Sequence, residues 1–572
     1  MSTFKLFLLT ILLAASFTGA AFAQSNGTVS GKITEATGKG IAGAEVTLTS
    51  TSDSSQKLTA ITDGEGNYKF DNVAAGGYVV TAKSGEEARA LQATENIKVA
   101  AGQQRTIDLL ALPVLSAQVS IASGTARPID EVSKTINVID GQQMRDRADF
   151  SMVDSLATLP GFRIQQSGGF GRLATIKTRG LRNSDTAILI DGIRFRDAGA
   201  INGDASGFLS DFTLTSVAKI EVLRGSGSSL YGTNAIGGTI DFQTPKPQSG
   251  MHGSFSSAFG GLGLQRYRGN FSDGTKDNKF GYNLGISRTV YTKGIDGNDN
   301  AHNTNFQSRI EYNPFQNTNI SGRFFVSDAY VRLNTSPDAI GILPASTTTI
   351  VDAVPLSKEE LKRYENGAPF SSLVANGANF IPDANDPDAF GKSKFFSGQV
   401  ALTQIINDKL VFRSSYQGLK TARKNANGPL GVEPFPFTVT TENNGEIHTG
   451  NANINWTPNR SNEITAGYEI EREKYSSEGY SESTFDAYAT RVVQTSHTVY
   501  AQEVLSLLDR KLQLAGGARV QFFDLKNPIF SGTTPPYGGL TFSSPPKAYT
   551  FDGAASYYFE KSGTKVRAHV GN

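Results

Sequence analysis

From Gly250 to Asn572, apolar and polar side chains alternate with a period of two over one segment after another. Phe280, Tyr282, Leu284 and Ile286 share one face, with Gly281, Asn283, Gly285 and Ser287 on the other. Ile464, Ala466, Tyr468 and Ile470 alternate in the same way with Thr465, Gly467, Glu469 and Glu471. Leu512, Leu514, Gly516, Ala518, Val520 and Phe522 do so against Gln513, Ala515, Gly517, Arg519 and Gln521. Two architectures carry such strands: a soluble sandwich with one wet face, or an antiparallel transmembrane barrel that is apolar outside. The connections separate them. With ~10 residues per membrane strand as the template, about 13 strands are expected. After even-numbered strands the connections are tight, at 273–278, 314–318, 407–409, 457–462, 509–511 and 561–563. After most odd-numbered strands they are long, notably 328–393, 424–443 and 526–546. Short turns at one rim and long loops at the other build a membrane barrel, whereas a sandwich has no reason to alternate this way.

Alternation is still running through Val566, Ala568 and Val570 when the sequence stops. At roughly 25 residues per strand, a barrel of ~22 strands, the size that encloses a plugged lumen, needs about 550 residues. The expectation is therefore an incomplete barrel over 250–572, lacking roughly nine strands, from a fragment or a frameshifted product, with a genuinely smaller barrel as the alternative.

At the other end, Lys5 precedes an apolar stretch from Leu6 to Ala15, and Ala21-Phe22-Ala23 offers a small-x-small cleavage pattern. This reads as a signal peptide over 1–23, with the mature chain starting at Gln24. The apolar core is too short to cross ~30 Å of hydrocarbon. The sequence holds 54 basic and 53 acidic residues. That balance offers no field to hold a polyanion, so no nucleic-acid partner is expected. With no cysteine, disulfide scaffolds and thiolate metal sites are excluded.

Residues 27–112 carry short, evenly spaced strand patterns at 28–33, 44–50, 57–62, 67–73, 77–83, 97–100 and 105–110, with turn signals such as Asp63-Gly64-Glu65-Gly66 between them. A small β-sandwich is expected. Ile41-Ala42-Gly43-Ala44-Glu45-Val46, Thr62-Asp63, Gly66-Asn67-Tyr68-Lys69-Phe70 and Gly77-Tyr78-Val79-Val80 resemble the carboxypeptidase regulatory-like domain. That resemblance implies an accessory sandwich without catalytic residues, either a rigid spacer or a ligand-binding module.

Residues 113–127 read as an exposed linker, and 128–245 as a mixed α/β domain. Thr135 to Ile139 suits a strand, Ser151 to Leu159 a helix capped by Ser151, and Ala187 to Ile190 a buried strand ending at Asp191-Gly192. The glycine-rich stretch after Arg224 lacks both the Gly-Lys-Ser/Thr ending of a P-loop and dinucleotide-fingerprint spacing. The run Val217-Ala218-Lys219-Ile220-Glu221-Val222-Leu223-Arg224-Gly225, then Ser229-Leu230-Tyr231-Gly232 and Ala235-Ile236-Gly237-Gly238-Thr239-Ile240, resembles the closing signature of the TonB-dependent receptor plug. Leu156-Ala157-Thr158-Leu159-Pro160-Gly161, Ile176-Lys177-Thr178-Arg179-Gly180 and Leu189-Ile190-Asp191-Gly192 precede it in the family's order; Ser226 stands where proline is usual.

The resemblance implies a plug-gated importer of the bacterial outer membrane, energised by the periplasmic TonB protein. Its cargo is a small solute such as an iron chelate or cobalamin, with a ferric siderophore as first choice. The competing reading is a barrel-anchored adhesin or surface receptor without transport. Val119, Ser120, Ile121, Ala122 and Ser123 fall where a TonB box belongs, and a short segment there is suited to adding an edge strand to a partner sheet. Arg179, Glu221 and Arg224 are expected against the barrel wall as charged plug locks. The signature residues Gly180, Asp191, Gly192, Gly225, Tyr231, Gly232, Gly237 and Gly238 are grouped with them. No cofactor, metal site or catalytic residue is expected: the five histidines, His252, His302, His448, His497 and His569, are scattered, and no nucleophile elbow appears. The aromatics Tyr330, Tyr364, Phe370, Phe380 and Phe390 of the longest loop suit either gripping a ligand or packing that loop on itself.

Overall fold

The computed structural model describes residues 26–34, 38–51, 57–84, 91–113, 118–124, 127–129, 132–166, 173–200, 203–213, 216–292, 300–333, 353–366, 368–369, 372–374, 376–377, 379–382, 388–429, 437–459, 461–508, 510–533, 540–559, 562 and 564–572. The proposed leader and its cleavage residues Ala21, Ala23 and Gln24 lie outside them. The chain divides into two compact units, residues 1–118 with 128–130, and 119–127 with 131–572.

The first unit is a two-sheet sandwich. One sheet orders Asn67–Val73, Gly27–Thr34 and Gln104–Thr106, with Leu109–Leu110 also on Gly27–Thr34; the other orders Lys57–Ile61, Glu45–Ser50, Gly76–Ser84, Leu91–Val99 and Leu112–Pro113. Alternate residues point inward, so Val29, Ile33, Val46, Leu48 and Val80 are wholly buried between the sheets. The single strand expected over 105–110 is two short pieces instead. Asp108 breaks the ladder, because its carboxylate takes the Lys32 backbone N–H at 2.9 Å.

In the second unit a five-stranded sheet orders Thr135–Asp140, Lys219–Arg224, Gly238–Gln243, Thr186–Ile190 and Ile193–Phe195. Thr186–Ile190 runs parallel to Gly238–Gln243 and is buried at all five positions, which explains its unbroken small and apolar run. Helix Met152–Ala157 starts at Ser151, whose N–H is met by the Asp154 carboxylate at 2.9 Å.

Around this domain runs an antiparallel wall whose main path, among the described residues, is His252–Gly260, Leu264–Gly274, Phe280–Tyr291, Ala301–Phe315, Thr318–Arg332, Phe390–Asn407, Leu410–Asn427, Val439–Asn459, Asn462–Ser481, Asp486–Leu507, Leu512–Leu525, Ala548–Phe559 and Thr564–Gly571. Alternation sorts its faces: Asn283, Ser287, Glu471, Gln513 and Arg519 are buried, while Ile286, Val400, Tyr416, Tyr468 and Val499 are exposed. A wall that is polar toward its contents and apolar outside is built for lipid. Several strands far exceed the ~10-residue template: Phe390–Asn407 has 18 residues, Val439–Asn459 has 21 and Asp486–Leu507 has 22. The long connections are correspondingly shorter than expected, at 333–389 and 428–438, and Ile529–Gly532 pairs with Asp486–Leu507 inside the third. Polar residues prolong these strands because ladder hydrogen bonding does not stop where the apolar face does.

Candidate functional site

The seam between inner domain and wall is built from charges set two residues apart on each side. Strand Ile193–Phe195 presents Arg194, and Arg196 follows just beyond its end. Opposite them, Glu469, Glu471 and Glu473 occupy successive inward positions of Asn462–Ser481. Arg194 lies 3.0 Å from Glu469 and 3.2 Å from Glu471, and Arg196 lies 2.6 Å from Glu471 and also pairs with Glu473. Arg519 extends the network along the wall, 2.7 Å from Glu469, and donates to the Leu230 carbonyl of the inner domain at 3.2 Å. Gly232 makes room for it: a Cβ there would sit 3.0 Å from the Arg519 guanidinium carbon, and its φ is +74°. Between the two arginines, Phe195 stacks edge-on against Phe212 at 4.8 Å and wall residue Phe395 at 4.9 Å. Buried ions are tolerated only when paired, so each arginine holds its carboxylates and is held by them.

A second junction forms at Asp191, whose φ of 50° marks a left-handed turn. Its carboxylate lies 3.2 Å from Arg323 and 3.6 Å from Arg309 of the wall, and it accepts from the Thr244 N–H at 3.0 Å. A third joins Lys134, 2 % exposed, to Asp552 of the wall.

The three charges expected to meet the wall take part in none of these three junctions. Arg179 is exposed, at a left-handed φ of 51°. Arg224 is half-buried at the end of its strand, and burial together with neighbouring Arg179 lowers its pKa. Glu221 is fully buried but turns toward the linker. The reason is its register: in the middle strands of a five-stranded sheet, with Val138 on one side and Asp241 on the other, its carboxylate must find donors above the sheet. Gly180, Gly192 and Gly225 occupy positive-φ turns, while Gly237 and Gly238 lie where a Cβ would press on Leu181 and the Leu223 carbonyl. Tyr231 closes the short helix Ser228–Tyr231.

The donors for Glu221 come from the segment expected to be an exposed linker. Its Oε2 accepts the backbone N–H of Ser120 at 2.9 Å and of Ile121 at 3.0 Å, while Lys219 lies 2.7 Å from Oε1. Gln243 bridges Ser120 Oγ at 3.2 Å and Asp241 at 2.8 Å, and Gln502 of the wall reaches the Ala122 carbonyl at 3.4 Å. Val119, Ile121, Ala122 and Ser123 are all buried. This corrects the exposed-linker expectation, because a central carboxylate lacking sheet donors recruits two backbone N–H groups from 100 residues away. Asp241, within the inner domain, has its pKa pushed up to about 7 by burial and by the nearby Glu221 charge.

Among the described residues no cluster of His, Cys, Asp and Glu is arranged to hold a metal. Of the loop aromatics, Tyr330 and Phe390 stack on each other at 5.9 Å where two wall strands emerge; the side chains of Tyr364, Phe370 and Phe380 lie outside the described residues.

Residues 128–239 match the TonB-dependent Receptor Plug Domain, and residues 28–112 match the Carboxypeptidase regulatory-like domain. The fold is similar to the ferric yersiniabactin uptake receptor of Yersinia pestis, with 15% identity and a TM-score of 0.55 over 74% of this chain and 62% of that one. It is similar to the ferric citrate transporter FecA, at 15% identity and 0.58 over 80% and 65%. The alcaligin outer-membrane receptor of Bordetella pertussis gives 14% and 0.54 over 77% and 63%. The chain thus spans less than two thirds of the length of these solved receptors. One matched domain is thus a TonB-dependent receptor plug, and the fold is similar to that of solved uptake receptors.

Proposed function

We propose, for a chain whose two matched domains are a TonB-dependent receptor plug and a carboxypeptidase regulatory-like sandwich, that it acts in TonB-coupled import across the bacterial outer membrane. The observation that carries this reading is the seam. A plug seated by paired, hydrogen-bonded charges around an apolar patch, rather than by apolar contact alone, can be unseated and reseated, which a gate requires. The cargo proposed first is a ferric siderophore; the similar solved receptors include a ferric yersiniabactin receptor and a ferric citrate transporter. Other small solutes, cobalamin among them, remain alternatives to test.

Residues 119–123 are the proposed point of contact with TonB, and Glu221 is proposed to keep them folded into the plug until coupling. Residues 1–23 are proposed as the cleaved leader, 113–127 as the connecting linker, 128–245 as the plug and 250–572 as wall. The sandwich is proposed as a rigid periplasmic spacer, since its buried residues form one apolar core.

The test is uptake of radiolabelled ferric siderophores by receptor-deficient cells expressing the full chain, with and without functional TonB. Uptake that requires TonB and is abolished by deleting 119–123 supports import. Surface binding indifferent to TonB points to the adhesin or surface-receptor alternative.

A further inference from the structure

The plug meets two flanks of the wall in different chemistries. Against Phe280–Tyr291 and Ala301–Phe315 the contact is made by amides and hydroxyls. Thr213 Oγ1 donates to Asn303 Oδ1 at 3.1 Å, accepts from Asn305 at 2.7 Å and pairs with the Ser287 hydroxyl at 3.1 Å. Asn303 and Asn305 also donate to the Asp211 carbonyl, at 3.3 and 3.0 Å, and Gln307 donates to the Ser216 carbonyl. The Asp211 carboxylate accepts from the Ser393 hydroxyl of the wall. Asn303, Asn305 and Gln307 take successive inward positions, so the buried row they form runs roughly 13 Å along its strand. The next inward residue, toward the short-turn rim, is Arg309, which with Arg323 holds Asp191.

On the other flank, Asn462–Ser481 and Ala548–Phe559 meet the plug through ions, Arg194 and Arg196 on Glu469, Glu471 and Glu473, and Lys134 on Asp552. Parting a buried ion pair strands its charges, whereas a neutral hydrogen bond is exchanged for one to water at small net cost. The buried linker segment is tied to the amide side as well. Gln243 bridges Ser120 and Asp241, and Asp241 accepts the Gly192 N–H at 2.9 Å, one residue from Asp191. That hydrogen-bonded chain ends at the foot of the amide row.

We propose that the cargo route opens along the amide flank, between Thr213 and strands Phe280–Tyr291 and Ala301–Phe315, while the ionic flank stays seated as a hinge. The inference rests on the import reading above. Asn303, Asn305 and Gln307 then act as stepping sites for an oxygen-rich solute, because amide N–H groups hold ligand oxygens one at a time. Passage needs sites that are alike and weak enough to release, and a row of neutral amides meets that need where a lone buried charge would trap the solute. The Asp191 junction closes the foot of the route, where the chain from Ser120 arrives. The ionic flank, specific in its pairing, keeps the register for reseating.

The chain has no cysteine, so single Ser→Cys variants of the full chain each report on one place. Ser287→Cys and Ser327→Cys probe the amide flank, Ser496→Cys and Ser556→Cys the ionic one; all four serines are at most 3 % exposed. Cells are treated with a water-soluble maleimide, with and without functional TonB, and labelling is read from the mass of the purified chain. Functional TonB should speed labelling of the first pair about tenfold or more and change the second pair less than about twofold. In a Thr213→Cys/Ser287→Cys chain, uptake of a radiolabelled ferric siderophore should fall about tenfold or more on oxidation to the disulfide and rise again on reduction. Equal labelling of both flanks, labelling of the amide flank without TonB, no TonB-dependent labelling at any of the four, or uptake untouched by a formed disulfide overturns the route. Uptake by the unmodified chain that is absent or indifferent to TonB counts instead against the import reading.

Discussion

The sandwich and the plug–wall seam bury side chains by opposite means. In the sandwich, Val29, Val46, Leu48, Tyr68, Phe70 and Val80 belong to one apolar cluster, held by contacts that need no particular partner. The seam does have an aromatic patch, with Phe195 and Phe212 against Phe325 and Phe395, but its flanks are ionic: Arg194 and Arg196 on Glu469, Glu471 and Glu473, Asp191 on Arg309 and Arg323, and Lys134 on Asp552. Apolar burial favours association whatever the register, whereas buried ions favour it only in the paired geometry. One region is made to stay assembled, and the other is specific in how it seats.

The sharpest way to break that contrast is Arg194→Ala. It takes one arginine from each of two buried carboxylates, leaving Glu469 with Arg519 and Glu471 with Arg196, and plug seating should weaken by about 3–5 kcal/mol. Limited proteolysis of the solubilised chain should then cut the plug while leaving wall and sandwich intact; an uncut plug would mean that the aromatic patch alone holds it. In the sandwich, Leu48→Ala should cost about 2–5 kcal/mol by opening a cavity, read as a lower denaturation midpoint with unchanged protection of the plug. A plug loosened by that change would show that the two regions are not independent in stability.

Glu221→Gln tests the linker clasp more gently. The amide keeps its shape but exchanges a charged acceptor for a neutral one, at an expected cost of about 1–3 kcal/mol. Protease access at residues 119–124 should rise, while the Arg194 contacts persist.

The most gradual effect is a pH slope. The Asp241 pKa is raised from 3.8 to about 7 in the folded plug, so the folded state holds a proton that the unfolded state releases. Stability should be greatest near and below pH 3.8, fall as pH rises through that window, and level off above about 7, with a slope no steeper than about 1.4 kcal/mol per pH unit. Urea titrations of the plug at several pH values should show this, and Asp241→Asn should flatten it.

Much of the architecture was legible along the chain because it is periodic. Alternation at Phe280–Tyr291 or Leu512–Leu525 reports which residues face water or plug and which face lipid, and tight polar turns mark one rim. Strand length was not legible: Val439–Asn459 begins inside the expected 424–443 connection, through Thr440, Thr441, Glu442 and Asn443, residues that look like loop when only the apolar stretch is counted. The seam was legible only in part. Asp191 stood out within a motif, but Arg194-Phe195-Arg196 and Glu469-Ile470-Glu471-Arg472-Glu473 are each ordinary alternating text. A spacing of two charges on each side was the available signal, and it gains meaning only once strands some 275 residues apart are brought together.

The sequence by itself determined the β-rich class, the sandwich pattern, the plug motifs and the two faces of the wall, because each follows from local periodicity and turn chemistry. Tertiary structure alone decided which charges pair and that Val119 and residues 121–123 are buried. A carboxylate's partner is chosen by whichever donors the fold brings within about 3 Å, and no spacing along the chain encodes that distance.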